Sequence, residues 1–339
     1  MKTLHLSGYT PDDSGVAVAA KLLHDGAIVA IPTETVYGLA ANAFDADAIK
    51  AVFEAKGRPQ DNPLIVHISS IDYLSELVTE IPDDAKKLAD AFWPGPLTMV
   101  LPKSDLLPDI VSAGLDTVAV RMPSNKVALS VIEQSGCPLA APSANISGSP
   151  SPTTAQHVVE DLDGRVDAIL LSEPCEVGVE STVILLANGQ KRLLRPGGIT
   201  LEMLESVIGK VDVDKAVLSD EVTAKVSSPG MKYKHYSPKT KVVLVCGDTD
   251  KFADFINESK QDIVAVCFIE DSEKLTCEKI VYGTAMDELT LAHGIFDALR
   301  NVDKLKKSVA YVHAPSKQGV GLAVYNRLLR AAAFDVIQL

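Results

Sequence analysis

The sequence predicts an α/β protein in two parts: a strongly curved mixed sheet, then a smaller parallel α/β unit. Three observations carry this. Short apolar runs bounded by Pro and Gly recur among helix-period segments along the 339 residues. In the first two-thirds, several such runs follow one another too closely for strict βαβ alternation, which favours a mixed sheet. Beyond residue 241 runs and helices alternate regularly, the rhythm of a parallel sheet. The chain is long enough for two ordinary cores.

Taken in order, SGVAVAAKLLH (14–24) reads as a helix stopped by Gly26, and AIVAIP (27–32) as a buried strand. DADAIKAVFEAKG (45–57) opens with Asp45 or Asp47 as N-cap. It places Ile49, Val52, Phe53 and Lys56 on one face and closes at Gly57. PLIVHI, LTMVLP, TVAVRMP, CPLAAP, AILL and STVILL follow as strands, with helices over 83–92, 125–135 and 154–162. After Gly209 the texture changes. Asp212, Asp214, Asp220 and Glu221 crowd 211–224, whereas 227–242 carries only positive charge, a switch that marks a domain boundary. KVVLVCG, DIVAVCFIE, KIVYG and SVAYVHAP then alternate with helices over 286–300 and 321–332. The expected division is 1–210, a linker at 211–240, and 241–339.

Composition narrows the class. With 47% hydrophobic and 23% charged residues, the chain has the make-up of a soluble globular protein. No run approaches the ~20 apolar residues of a membrane span, and the N-terminus lacks the apolar region of a secretory leader. Five cysteines form no CxxC pair, so buried thiols in a reducing cytoplasm are expected. A net charge of −13 argues against a general nucleic-acid surface, leaving at most weak direct RNA binding.

Three stretches could do chemistry. In KGRPQDNPLIVHI (56–68), Lys56 ends a helix, where a cation suits the dipole, and Pro59 holds Arg58 extended. Two cations beside the Asp61-Asn62-Pro63 turn can clamp phosphates, the arginine bidentately. In IPTETVYGLAANA (31–43) a strand ends among hydroxyls, a carboxylate and a ring, which suits either a ligand or an ordinary turn. CPLAAPSANISGSPSPT (137–153) runs a strand into Ser143, Asn145, Ser147, Ser149 and Ser151; such a loop can cradle phosphates or merely turn. Thr117 and Arg121 in DTVAVRMP, GVESTVI (178–184) and LLRPGGIT (193–200) complete the set. Arg121 lies in an apolar strand, where an unpaired charge is costly, so it should face an anion or a carboxylate. P-loop, GxGxxG, GxSxG and HExxH patterns are all missing, and the histidine spacing implies no structural zinc.

IPTETVYGLAANA, KGRPQDNPLIVHI, WPGPLTMVLP, AGLDTVAVRMP, APSANISGSPSPT, GVESTV and LLRPGGIT occur in the order seen in the YrdC/Sua5 family. The stretch SPGMKYKHYSP resembles the linker of its two-domain members. The motif match spans about 20–240, and the C-terminal part agrees in size and pattern. The resemblance implies a twisted YrdC-like domain with a large basic cavity, plus a smaller Rossmann-like parallel α/β C-terminal domain. It implies a threonylcarbamoyl-AMP synthase, a nucleotidyltransferase that joins L-threonine, bicarbonate or CO2, and ATP, releasing pyrophosphate. ATP is then a substrate, Mg2+ assists the pyrophosphate, and no organic cofactor is needed. A separate transfer complex passes the threonylcarbamoyl group to N6 of adenosine 37 in tRNA.

By the same likeness, Thr35, His67, Arg121, Ala141 and Ser181 surround the threonine, with Arg121 on its carboxylate. Arg58, Asn62, Thr117, Ser143, Ser151, Arg195 and Tyr233 contact the nucleotide. Lys56 and Arg58 form the family's K-x-R pair and offset phosphate charge. No catalytic nucleophile is required, because in-line transfer needs alignment and charge stabilisation. Carbamate and mixed anhydride are both lost to water, so closure should matter. The stretch 227–240 is expected to act as a lid, with His235 and Tyr236 sealing the site; the alternative is that its rings dock the two domains.

Overall fold

The computed structural model describes residues 2–218 and 236–339. The first unit is a single eleven-stranded sheet. Its strands are β1 (Leu4–Ser7), β2 (Val29–Ile31), β3 (Gly38–Asn42), β4 (Ile65–His67), β5 (Leu97–Pro102), β6 (Thr117–Arg121), β7 (Leu139–Ala140), β8 (Ala168–Leu171), β9 (Thr182–Leu185), β10 (Arg192–Arg195) and β11 (Asp212–Val213). They lie in the order β1-β8-β2-β3-β7-β4-β6-β5-β9-β10-β11, with parallel and antiparallel pairs interleaved. The expected mixed sheet is therefore present. The stretch predicted as linker from residue 211 opens with β11, which pairs with β10.

All eleven strands are only two to six residues long, and apolar layers pack on both faces of the sheet. One joins helices Ser14–His24 and Lys126–Ser135 to β2, β7 and β8 through Val16, Leu23, Val131 and Leu170. The larger layer seats helix Ala46–Lys56 through Ile49, Val52 and Phe53, all essentially without exposed surface. Each such side chain contributes roughly 1.5–3 kcal/mol on leaving water. Of the two possible N-caps, Asp45 is the one used: its carboxylate accepts from the N–H groups of Asp47 and Ala48. Gly57 ends the helix at φ 61°, the left-handed turn that glycine adopts without a Cβ clash. Lys56 ends the helix and Arg58 follows the turn, and both line the cleft described below.

The second unit is a five-stranded, wholly parallel sheet: β12 (Lys241–Cys246), β13 (Ile263–Phe268), β14 (Lys279–Gly283), β15 (Val309–His313) and β16 (Val336–Gln338), in the order β14-β13-β15-β12-β16. Helices Glu288–Lys304 and Gly321–Ala331 cover one face and Thr249–Asn257 the other. The first of these layers also takes in Val36 and Val179, two residues of the first unit, so the two halves share a core. Arg300 bridges them as well, donating to both oxygens of Asp161 and, at 2.6 Å, to the carbonyl of Pro150.

Candidate active site

Register sets the centre of the site. The parallel pairing of β4 with β6 puts His67 opposite Arg121, and the antiparallel pairing of β5 with β6 puts Thr98 on the other side of Arg121. Three polar side chains thus line up across the middle of an apolar sheet. Around them loops converge: Thr33–Tyr37 between β2 and β3, Lys56 and Arg58 after the helix, 141–151 after β7, and Glu180 and Ser181 before β9. Together they line a cleft that opens to solvent.

The structure brings most of the predicted residues to this cleft. Thr35, His67, Arg121, Ala141 and Ser181 line it, as do Lys56, Arg58, Ser143, Ser151, Arg195 and Tyr236. Asn62 and Thr117 are not in the lining. Thr117 begins β6 two residues before Ala119, the partner of Ile65, which places it beside the Asn62-Pro63 turn on the Arg58 flank. The Asn62 side chain is buried, and neither its Oδ1 nor its Nδ2 has a hydrogen-bond partner among the described residues. Tyr233 and His235 lie outside the described residues.

Arg121 has the carboxylate that its setting demanded, and the protein provides it. Nη2 sits 2.7 Å from Glu34 Oε1, with both side chains almost wholly buried. Nη1 donates to Thr35 Oγ1 at 2.9 Å and Nε to the Gly95 carbonyl at 3.3 Å. Burial pushes the Glu34 carboxyl up, yet the Arg121 charge outweighs this and holds it below its ordinary value. Beside them the buried His67 ring lies 3.2 Å from the Ile65 carbonyl through Nδ1. Its pKa is pushed down to about 3, by burial first and the Arg121 charge second, so it is neutral at ordinary pH.

Lys56 differs from the phosphate clamp that the sequence suggested. Its Nζ is turned into the 143–145 loop, donating to the carbonyls of Ser143 at 2.5 Å and Asn145 at 2.6 Å, with Asn145 Oδ1 at 3.5 Å. Burial, then the neighbouring Arg58 charge, lowers its pKa well below the usual lysine range. Ser143 in turn donates to Asn145 Oδ1 at 2.5 Å. The serine-rich loop is thereby fixed from beneath.

On the opposite wall Arg195 donates through Nε to the Ser181 carbonyl at 3.0 Å and through Nη2 to Ser181 Oγ at 3.2 Å. Ser181 Oγ also lies 2.7 Å from Thr98 Oγ1, which links this wall to the central row. Burial depresses the Arg195 pKa to about 10, leaving it cationic at neutral pH. Tyr236 closes this side: it lines the cleft while its ring stands 5.2 Å from Phe296 of the second unit. It does so in the left-handed region at φ 62°, which costs a non-glycine residue about 1 kcal/mol.

Sequence reasoning overlooked Glu34, Glu180 and Arg327. Glu34 and Glu180 lie inside the quoted motifs PTET and GVEST, where a carboxylate between hydroxyls was a usable signal. Arg327 follows Ala323 by four positions on the apolar face of its helix, a charge where only apolar residues were expected. Among the described residues no group of three or more His, Cys, Asp or Glu could hold a metal ion. Nor is any helix among them long and apolar enough to cross a membrane.

Comparison with known proteins agrees along the whole length. A family model described as telomere recombination (Sua5, YciO and YrdC) matches residues 21–197, and one described as the threonylcarbamoyl-AMP synthase C-terminal domain matches 199–333. The threonylcarbamoyl-AMP synthase of Pyrococcus abyssi is 47% identical over 328 residues, 95% of each chain. That of Bacillus subtilis is 48% identical, covering 96% of this chain and 95% of its own. The crystal structure of P. abyssi Sua5 complexed with L-threonine superposes with a TM-score of 0.91 at 42% identity, covering 100% of both chains. The chain belongs to the Sua5 family of threonylcarbamoyl-AMP synthases.

Proposed function

We propose that the cleft makes threonylcarbamoyl-AMP and pyrophosphate from L-threonine, bicarbonate or CO2, and ATP, with the two substrates on opposite flanks. The observation that carries this is the concentration of Arg58, Arg121 and Arg195, with threonine and serine hydroxyls, in one cleft of a chain whose net charge is −13. The threonine carboxylate would meet Arg121 and Thr35, its side chain Ala141 and Ser181, and the neutral His67 would add no competing charge. The nucleotide would lie along Arg58, Asn62, Thr117, Ser143, Ser151 and Arg195. The buried, unpartnered amide of Asn62 supports a ligand on that flank, because such a group costs free energy until it is paired.

The chemistry balances without a protein nucleophile. The threonine amine adds to CO2 and loses a proton, giving a carbamate. A carbamate oxygen then bonds to the α-phosphorus as the bond to the β-phosphate oxygen breaks, and pyrophosphate leaves. Arg58 and Arg195 would offset the charge that develops, while Lys56 would hold the 143–145 loop against the nucleotide. The described residues form no carboxylate cage, so Mg2+ fits best as a companion of the triphosphate that arrives with the substrate. The product would serve a separate transfer complex acting on tRNA, in the cytoplasm. The three-part division at 1–210, 211–240 and 241–339 belongs to the same reading, with the first sheet running on through β11, as does a lid at 227–240, of which 227–235 lie outside the described residues; Tyr236 supports the seal by facing both the cleft and the second core.

Mass spectrometry of the product from ATP, 13C-bicarbonate and L-threonine, with serine and no-amino-acid controls, tests this directly. Labelled threonylcarbamoyl-AMP formed with pyrophosphate is expected. Folded, nucleotide-binding protein that yields none would refute the reading.

A further inference from the structure

Arg327 belongs to the second unit and has no exposed surface, yet its guanidinium reaches into the first. Nε donates to Glu180 Oε2 at 3.0 Å and Nη2 to the Glu180 carbonyl at 3.2 Å. Nη1 reaches the carbonyls of Pro196 at 2.5 Å and Ala323 at 3.4 Å. The other carboxylate oxygen of Glu180 accepts from Ser151 Oγ at 2.5 Å. Arg327, Glu180 and Ser151 therefore form one chain of contacts, from a helix of the second unit to the wall of the cleft.

Glue alone is a poor account of this arrangement. A buried ion pair is seldom more stabilising than an apolar contact of the same volume, because both charges lose their water. Glu180 also lines a cleft whose other charges are cationic, so it sits where an anionic ligand would be repelled. Burial pushes its carboxyl up, but Arg327 and then Arg195 outweigh this and keep it ionised.

An ionised carboxylate only accepts hydrogen bonds. The single proton of Ser151 is therefore committed to Glu180, and Oγ presents lone pairs to the cleft. It can receive a hydrogen bond there and cannot give one. A phosphate oxygen, itself only an acceptor, is the wrong partner; an O–H or N–H on the ligand is the right one. We propose that Arg327 is a positioning residue which, through Glu180, fixes Ser151 as an acceptor for a donor group on the nucleoside of ATP, a ribose hydroxyl or the adenine amine. This rests on the reading that ATP occupies the cleft. Without Arg327 the buried Glu180 takes up a proton, the carboxyl donates as well as accepts, and the Ser151 hydroxyl is free to turn.

The test is a double-variant cycle on the full chain, reading ATP affinity by titration calorimetry and KM for both substrates. S151A and R327M should each weaken ATP about tenfold, the worth of one hydrogen bond, and leave the threonine KM within about twofold. Because both act on one contact, the double variant should lose about tenfold in total rather than about a hundredfold. The unaltered chain should disfavour one of 2′-deoxy-ATP, 3′-deoxy-ATP and inosine triphosphate, and S151A and R327M should treat that analogue like ATP. Its identity tells a hydroxyl from the amine. Should R327M not fold, R327K, which keeps the charge without the fork, enters the same cycle. Multiplicative losses, or unchanged discrimination in the variants, would overturn the relay alone. Absence of ATP binding by the unaltered chain would overturn the reading of the cleft and the relay with it.

Discussion

Lys56 grips Asn145 twice, its Nζ lying 2.6 Å from the backbone carbonyl and 3.5 Å from Oδ1. The cation thereby acts on the serine-rich loop, whose Ser143 carbonyl it also binds. Lys56→Met keeps the stem and removes the donors, leaving buried carbonyls unpaired at about 1–3 kcal/mol each. The variant should lose roughly 2–4 kcal/mol in urea unfolding together with most of its activity. Loss of activity at unchanged stability would instead make Lys56 a direct contact of the substrate.

Arg58 stands on the flank assigned to the nucleotide, donating through Nη2 to the carbonyls of Asn62 and Pro63. Arg58→Ala should raise the KM for ATP at least about tenfold and change that for threonine little, since charge-assisted hydrogen bonds are worth about 1.5–3 kcal/mol. Arg58→Lys should recover only part of this, because an ammonium lacks the planar fork. Equal effects on both substrates would contradict the separation of flanks.

Ala141 lines the cleft and is 5% exposed. Ala141→Leu should project extra methylenes into the amino-acid side, raising the threonine KM about tenfold or more at nearly constant ATP affinity. Competition by ATP rather than threonine for that space would reverse the two flanks.

His67 makes stability depend on pH in a defined direction. Its folded pKa, about 3, lies far below the unfolded value near 6.5. Between the two, the unfolded chain takes up a proton that the folded chain refuses. Stability contributed by the neutral ring is thus complete above about pH 6.5 and falls by about 1.4 kcal/mol per unit as pH drops toward 3. His67→Gln should flatten this slope between pH 6.5 and 5, where carboxylates contribute little. Parallel unfolding curves for the two proteins would refute the assignment.

How much was legible in the sequence depended on how far apart the partners lie. The helix over Ala46–Lys56 could be read because its cap, apolar face and glycine stop are all local. β3 (Gly38–Asn42) was missed: GLAAN is small-residue backbone with little strand preference, and it is a strand only because β2 and β7 flank it. The lining of the cleft was largely visible because its residues sit in short motifs at strand ends. The pairing of Arg121 with a carboxylate was legible as a requirement, whereas Glu34 as the partner was not. Arg327 and Glu180 are 147 positions apart, and nothing in either local sequence points to the other.

The shared core has a consequence for how this chain can be divided. Val36 and Val179 lie in the second unit's apolar layer, and the backbones approach so closely at Gly178 that a Cβ there would stand 2.4 Å from the His293 Cα. A cut between the units would bare apolar surface and strip the buried Glu180 carboxylate of Arg327, the closer of its two cations, in the wall assigned to the nucleoside. The second unit is therefore part of the wall of the cleft as well as a neighbour of it.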